Sequence, residues 1–517
     1  MMKMESPAAD YNGRIEQLHS RYNPQAEAER YIDSLQLSGG IEYIILLEPG
    51  LGYLVNPLKN RCNCKIIALH IDDIFRNHNS LKNNSAGQRD GARPQPGIPA
   101  WYPGNTESIQ EFLEREIPDA PASAVRIIEW RPSLMVYGQK YLNALSEAVD
   151  FIKRADAGFR TNAGFGRRWL KNFFKNLKIV HSVLLYKPVD NAMIVTGSGP
   201  GLEEAIPRIR TMESQAVIIA ASSSLLTLHQ GGLRPNLVIS TDGGTWAHTH
   251  LHSCGRYSMN IQGLAVNLCA ALPFQCGKYP MLILNDGSLW QSLILSGLDI
   301  PSVIIGQRGT VTASALELAL ELTRGPVFMA GVDLSVRDIL THARPHSFDS
   351  FLYGSASRIN PLYCAYFKRA GCNGKSLEIY AAWFKDRLKR WPKRIWTLDK
   401  HNTVFDAAPE YNAANSLNDR CPKCAEPVSD QNSEKSEFLK SSVINNTEFA
   451  ERALRILLRA LEDTRYSAIL RTELSGLLFS GTKTGSIPEI ADELVSVYKV
   501  GCFSDRHLAG RDGGSYG

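Results

Sequence analysis

Short apolar, β-branched runs alternate with stretches of helical periodicity along most of the chain, a pattern that predicts an α/β protein. Near the start, Pro24 to Leu35 has the spacing of an amphipathic helix. Tyr43 to Leu47 reads as a strand running into Glu48-Pro-Gly-Leu-Gly-Tyr-Leu, and Lys65 to His70 as a second strand before Asp72-Asp73. Strand, glycine turn, helix, strand and an acidic residue about 20 positions on outline a Rossmann-type half. Val55 stands where the fingerprint has its third glycine, which argues against a cofactor bound there. Arg76 to Asn105, rich in Asn, Gly, Pro and Ser, reads as a long loop. Helical patterns run from Thr106 through Lys178, and the cluster Arg167, Arg168, Lys171 and Lys175 reads as a solvated helix face.

The pattern is clearest in the middle of the chain. Strands are expected at Ala192–Thr196, Ala216–Ala220, Leu237–Ser240, Leu264–Asn267, Met281–Leu284, Ser302–Ile305 and Val327–Ala330, with helical segments between them. Such alternation predicts βαβ units and a mostly parallel sheet. Thr312 to Leu322 places Ala315, Leu316, Ala319, Leu320 and Leu322 along one face for packing on that sheet. After about residue 402 the chain is polar until Phe438, then helical at Phe449–Leu461, Ala468–Leu478 and Ile490–Val497, with a glycine-rich end expected to fray after Ala509. Three domains follow: a Rossmann-like N-terminal domain with a helical segment over 1–178, a central nucleotide-binding domain over 179–400, and a linker with a helical C-terminal domain over 401–517. A chain of 517 residues exceeds what one core supports.

Composition narrows the classes. The balance of 57 Lys+Arg against 52 Asp+Glu leaves +5, so charge argues for neither a nucleic-acid nor a membrane partner. Apolar runs such as Ile41–Leu47 fall short of the ~20 residues of a membrane span, and Met1 to Asp10 has no signal-peptide core, so a cytoplasmic location is expected. The ten cysteines are scattered, as reduced thiols in a cytosolic protein are. Cys421 and Cys424 form the one tight pair, and no second pair lies near enough to complete a zinc site, so an exposed loop with two thiols is expected.

The chemistry gathers where the central strands end. Gly197-Ser198-Gly199-Pro200-Gly201 follows one strand, Ser222-Ser223-Ser224 the next, and Asp242-Gly243 the third. Asn267 ends the fourth, Asp286 follows the fifth, Arg308 the sixth and Asp333 the seventh. In an open α/β sheet, ligands sit beyond the carboxyl ends of the strands. Several polar turns at one edge favour a ligand site, although Gly, Ser and Asp also serve simply as turn and cap residues. A glycine turn leading into a helix offers backbone N–H groups to phosphate. No Gly-Lys-Ser/Thr follows, which argues against a Walker-type ATPase. Asp242, Asp286 and Asp333 each fit a metal, a ribose or a turn cap. His342 fits a general base or a surface loop, and Arg308 a phosphate or carboxylate partner or a solvated turn. Pro345 argues against His342 and His346 forming a zinc pair on one helix.

An ordered set of motifs adds a family. His19-Ser-Arg-Tyr-Asn-Pro24 comes first, then Gly197-Ser-Gly-Pro-Gly-Leu202, Gly231-Gly-Leu-Arg-Pro235 leading to Asp242, Gly309-Thr-Val-Thr, Gly331-Val-Asp-Leu334 and Thr341-His-Ala343. Together, over most of residues 19–345, they resemble the motility-associated factor (Maf) flagellin glycosyltransferases, whose central domain is MptE-like and sialyltransferase-like. The resemblance implies transfer of a nonulosonic acid, of pseudaminic or legionaminic type, from a CMP-sugar to Ser or Thr of flagellin by inverting displacement. It places Gly197 to Gly201 against the nucleotide phosphate and Asp242 and Asp333 in the same cleft; for the displacement, His342 is expected as the base, with His342 and Asp333 the catalytic residues. The wider nucleotide site would include Ser222, Gly243, Asn267, Asp286 and Arg308. Gly201 stands where the family has Ser, and Gly309-Thr-Val311 where it has Gly-Ser-Val. No cofactor is required. The alternative is an MptE-like pyrophosphokinase acting on a pterin alcohol with ATP, its Mg²⁺ held by the aspartates; a second is a non-catalytic scaffold binding a nucleotide or flagellin.

Overall fold

The computed structural model describes residues 8–11, 14–37, 40–76, 97–257, 259–306, 308–372, 377, 380–385, 388, 394–400, 402, 404–405, 439–479 and 485–503. The chain forms two compact units, residues 1–164 with 480–483, and residues 165–479 with 484–517. The Cys421/Cys424 pair, the core of the polar loop near residue 90 and the glycine-rich end lie outside the described residues.

The first unit opens with an antiparallel pair, β1 (Ala8–Tyr11) and β2 (Arg14–Gln17). Its parallel sheet runs β5-β4-β3-β6, from Ala100–Trp101, Lys65–Leu69, Tyr43–Leu47 and Val125–Glu129. Helices α1 (Pro24–Ser34) and α2 (Val55–Arg61) contribute Ala28, Ile32 and Leu58 to the core on one face; α3 (Ile109–Glu116) and the first part of α5 (Gln139–Leu177) contribute Phe112, Leu113, Tyr141 and Phe151 to the core on the other. Strand β6 interrupts the stretch expected to be helical throughout: Val125, Ile127 and Ile128 are β-branched and pair with β3. A short α4 (Arg131–Tyr137) follows it. The Rossmann-like glycine turn is closed internally. Glu48, fully buried at φ +41°, accepts from the Gly50 and Ile71 amides at 3.2 and 2.6 Å. Its carboxylate also lies 3.0 Å from His70 Nδ1, and the Leu51 amide donates to His19 Nε2 at 3.1 Å.

The second unit holds one sheet in the order β15-β14-β8-β9-β10-β11-β12-β7-β16, with β13 (Ser302–Ile304) also paired to β12. The expected central strands appear as β8 (Met193–Thr196), β9 (Val217–Ala221), β10 (Leu237–Ser240), β11 (Gly263–Asn267), β12 (Met281–Asn285), β13 and β14 (Val327–Ala330). Strands β7 (Ser182–Tyr186), β15 (Ile395–Thr397) and β16 (Leu439–Val443) were not among those expected; β16 is an edge strand, antiparallel and largely exposed. Successive residues alternate between two cores. Ile194, Ile218, Val238 and Val266 face one core with α6 (Leu202–Met212), α7 (Leu225–Gln230), α8 (Thr245–Arg256) and α9 (Leu289–Gly297). Met193, Val195, Ile219 and Ile239 face the other with α10 (Val311–Leu322). Two further helices, α11 (Asp349–Ser355) and α12 (Leu362–Cys372), follow β14.

This division differs from the expected boundaries at 178 and 400. Helices α13 (Phe449–Glu462), α14 (Ser467–Leu478) and α15 (Ile487–Phe503) share one core with the central sheet instead of standing apart, because Leu457, Leu474 and Leu494 pack with Phe173, Trp290 and Ile294. Gly166 on α5 permits the approach of α14: a Cβ there would lie 2.4 Å from Leu477 Cα, whereas a Cβ at the exposed Gly164 meets nothing within 4 Å. Gly164→Ala should therefore stabilise by about 1 kcal/mol through helix propensity. Gly166→Ala should destabilise by roughly 1–3 kcal/mol through overpacking. Urea unfolding of the two variants checks both signs.

Candidate functional site

The sheet order reverses at β8. From β8 the chain passes through α6 to β9 on one side, and β14 joins on the other side only after β13. Turns that leave a sheet in opposite directions open a crevice beyond its carboxyl edge. Here that crevice has a volume of about 280 Å³. Its wall combines hydroxyls (Ser198, Ser222, Ser223, Thr310, Thr312, Ser335, Thr341), the carboxylates of Asp242 and Asp333, the imidazoles of His250 and His342, and the rings of Phe348, Tyr380 and Phe384.

A chain of hydrogen bonds fixes this edge. Asp399, just after β15, accepts from the Gly331 and Val332 amides at 3.0 and 3.3 Å and so holds the turn after β14. The Gly331 carbonyl accepts from the Gly199 amide at 2.7 Å, and Asp333 accepts from the Gly201 amide at 2.9 Å through both oxygens. Ala343 then donates to the Ser198 carbonyl at 2.8 Å, which brings the His342 loop over the glycine turn. Glycine is required in this turn by close approach. A Cβ on Gly199 would lie 2.3 Å from Asp333 Oδ2, one on Gly201 2.6 Å from Asp333 Oδ1, and Gly331 itself sits at φ +65°.

This network corrects the expected phosphate cradle. The Gly197 amide donates to Ala330, Gly199 to Gly331 and Gly201 to Asp333, while Pro200 has no N–H. The N-terminus of α6, which a phosphate would occupy, already carries the Asp333 carboxylate and the first-turn acids Glu203 and Glu204. Arg337 bridges Asp333 at 3.3 Å and Glu204 at 2.6 Å. Burial pushes the Asp333 carboxyl above its ordinary range, opposed by the Gly201 N–H and Arg337. Asp333 lines the crevice but is committed to the turn, a positioning role where a catalytic one was expected.

Four other expected residues stand elsewhere. Asn267 and Asp286 form a separate network around Gln291: Asn267 Nδ2 donates to Gln291 Oε1 at 3.1 Å, and Gln291 Nε2 to Asp286 Oδ2 at 2.9 Å. Arg308 pairs with Glu317 at 2.8 Å. Gly243 packs under Trp169, where a Cβ would lie 2.5 Å from the indole. None of the four lines the crevice, nor do Gly197, Pro200 and Gly201. The residues that do line it from the expected set are Ser198, Gly199, Ser222, Asp242, Asp333 and His342. Ser223, Thr310, Thr312, His250, Tyr380 and Phe384 join them. The repeated hydroxyls of Ser222-Ser223-Ser224 and Thr310-Val-Thr312 were a local signal for three of these; no local pattern marked the others.

The carboxylates do not gather for a metal. Asp333 is tied to Gly201 and Arg337, Asp286 to Gln291, and no group of three His, Cys, Asp or Glu suited to a metal ion occurs among the described residues. The donor set therefore does not fit an aspartate-held Mg²⁺. The histidines instead cluster on apolar surface. His342 and His346 lie 4.4 Å apart between ring centroids, His250 and His346 5.0 Å, and Arg369 sits 3.8 Å over the Phe348 ring beside them. Burial, with Arg369 adding, holds His342 and His250 down at about 4 each; burial and the neighbouring imidazoles lower His346 further.

Comparison with known proteins finds a family model that matches the middle of the chain. Residues 167–338 match the family model described as 6-hydroxymethylpterin diphosphokinase MptE-like. An uncharacterized protein of Treponema pallidum (strain Nichols) is 30% identical over 278 residues, 54% of this chain and 60% of that protein. A second from the same organism is 29% identical over 116 residues, 22% of this chain and 54% of that protein. The chain thus spans between half and two thirds of the length of these curated relatives. Among solved structures, the Maf glycosyltransferase from Magnetospirillum magneticum AMB-1 aligns over 96% of this chain and 86% of that one, with a TM-score of 0.49 and 13% identity. No helix among the described residues is long and apolar enough to cross a membrane.

Two outcomes follow from the geometry. Asp333→Ala leaves the buried Gly201 N–H without its acceptor and should destabilise by roughly 1–3 kcal/mol in denaturant unfolding, while Asp333→Asn, which keeps an acceptor, should cost less. A histidine whose folded pKa is depressed contributes stability above its unfolded value of 6.5, which is lost as pH falls toward the folded value of about 4. Between pH 6.5 and 4, wild type should therefore lose up to about 3 kcal/mol more than His250→Gln, compared by thermal unfolding at each pH.

Proposed function

We propose that the crevice at β8 and β14 is a glycosyltransferase site that takes a nonulosonic acid from its CMP-activated form. One observation carries the reading. Motifs scattered over residues 197–343, including the glycine turn, Asp242, Thr310-Val-Thr312, Asp333 and Thr341-His342, meet around a single cavity. A hydroxyl-rich wall suits a polyhydroxylated sugar, and Phe348 and Tyr380 offer aromatic surface to a base.

In the proposed reaction an acceptor hydroxyl attacks the anomeric carbon as its bond to the CMP phosphate oxygen breaks, through an oxocarbenium-like state with inversion. The bonding pair leaves with CMP. Its phosphate rests on the hydroxyls of Ser222 and Ser223 and on the Ser198 amide, the one N–H of the glycine turn not engaged among the described residues. His342 pairs through Nδ1 with Thr341 Oγ1 at 2.8 Å. With Nδ1–H as the donor, Nε2 takes the proton of the attacking hydroxyl. So weak a base accepts it only as the new bond to oxygen forms. Pseudaminic or legionaminic acid as the sugar, and Ser or Thr of flagellin as the acceptor, complete the reading.

The description of the matched family favours a second reading, a pyrophosphokinase acting on a pterin alcohol. Against it stands the separation of Asp286 from Asp242 and Asp333, which leaves Mg²⁺ without the expected set of carboxylates. Isothermal titration with CMP and with ATP, each with and without Mg²⁺, separates the two. The proposal expects metal-independent CMP binding that Ser223→Trp, filling the crevice, weakens at least tenfold; ATP binding alone, and only with Mg²⁺, would favour the kinase. His342→Gln should slow transfer by roughly 10²–10⁴-fold and leave CMP affinity unchanged. Intact CMP binding without any turnover would point to a scaffold.

A further inference from the structure

The second unit also holds a cavity larger than the crevice. It has a volume of about 660 Å³ and lies at the opposite, amino edge of the sheet, where α8 ends and where the chain enters β7 and β12. We propose that this cavity is a second ligand site, taking a small ligand that bears a multiply charged phosphate group.

Three separate segments supply its polar wall. His252 and Arg256 come from the last two turns of α8, Gln275 and Lys278 from the 3₁₀ turn Phe274–Lys278, and His181 from the residue before β7. No carboxylate lines the cavity among the described residues. Neither Arg256 nor Lys278 forms an ion pair among the described residues; each lies instead over the ring of the next residue, Arg256 at 5.7 Å from Tyr257 and Lys278 at 4.9 Å from Tyr279. In a chain with 57 basic and 52 acidic side chains, cations ordinarily find acids nearby. Two permanent cations facing one concavity with no counter-charge beside them among the described residues favour an anion there. A favourable contact with the α8 dipole accounts for Arg256 at a helix C-terminus, but not for Lys278, which stands on another segment.

The imidazoles add directed donors. Asn446 Nδ2, which also donates to the Lys178 carbonyl at 2.7 Å, lies 3.2 Å from His181 Nδ1. A donor on that side makes Nδ1 the acceptor and leaves the proton on Nε2. Along α8 the residues His248, His252 and Arg256 recur every four positions on one face, with the first two rings 4.7 Å apart between centroids. Gly277 lets the 3₁₀ turn pack close to the segment before β7: a Cβ there would lie 3.0 Å from the Ile179 carbonyl and 3.4 Å from the His181 ring. Phe274, 75% exposed at the rim, gives an apolar surface to the body of the ligand. A fork-shaped guanidinium, an ammonium and ring N–H donors converging on a concavity of this size match a phosphate group. An extended polyanion would instead need a continuous exposed face.

Inorganic pyrophosphate is the probe, titrated calorimetrically into the full chain with and without saturating CMP. Binding should persist under CMP and weaken at least tenfold between 50 and 300 mM salt, because exposed cations are screened. The double variant Arg256→Glu, Lys278→Glu should lose it at least tenfold while keeping the wild-type thermal transition, since both side chains are exposed. Ser223→Trp, in the crevice, should leave it unchanged. Absence of pyrophosphate binding by the wild type, or binding that survives the double charge reversal, overturns the proposal. Loss of binding in Ser223→Trp would place the anion in the crevice and overturn it equally.

Discussion

The bond from the Gly201 amide to the Asp333 carboxylate is the contact on which the crevice depends. It joins the turns after β8 and β14 and fills the positive end of α6 from within, and Asp399 holds the same β14 turn from behind. The first unit repeats the device with Glu48, whose carboxylate holds the Gly50 and Ile71 amides. In the second unit Gly199 and Gly201 allow the close approach of Asp333, whereas in the first Gly50 is set by its φ of +58° and by His19 beside it. A phosphate brought to either turn would meet a carboxylate already bound there and pay for its displacement.

That constraint explains what the crevice offers in place of a phosphate cradle. Its ligand surface comes from the neighbouring strand ends, chiefly Ser222, Ser223, Asp242 and Thr310, and from the His342 loop that Ala343 ties to Ser198. The histidine cluster is kept neutral by burial and by Arg369, so the wall beside Phe348 carries no added positive charge near neutral pH. On the far edge, Arg256 and Lys278 present cations to open space. The two edges of one sheet thus differ in chemistry: hydroxyl and carboxylate at the carboxyl ends, cation at the amino ends.

The parallel sheet was legible because β8 to β12 and β14 are short apolar runs buried on both faces, a strong signal at strand length; β13, with Ser302 and Ile304 exposed, is the exception. Strands β7, β15 and β16 were missed for different reasons: Leu439–Val443 is mostly polar and exposed and is a strand through its edge pairing with β7, whereas Val183, Leu184, Ile395 and Thr397 are buried and β15 is only three residues long. The role of Asp333 was hidden because a carboxylate after a strand carries the same local signature whether it caps a turn, binds a metal or meets a substrate. Only the 132-residue separation closed by its bond to Gly201 decides among them. Asp286 and Asn267 failed for a related reason. Every strand of a parallel sheet ends at the same edge, but the crevice spans β14 to β10, and their strands lie beyond it.

A crystal structure of the chain with CMP tests the central claim most directly. The account predicts the nucleotide phosphate against Ser222, Ser223 and the Ser198 amide, with Asp333 still bonded to the Gly201 amide near 2.9 Å. A phosphate seated on the Gly201 amide, with Asp333 displaced, would contradict it.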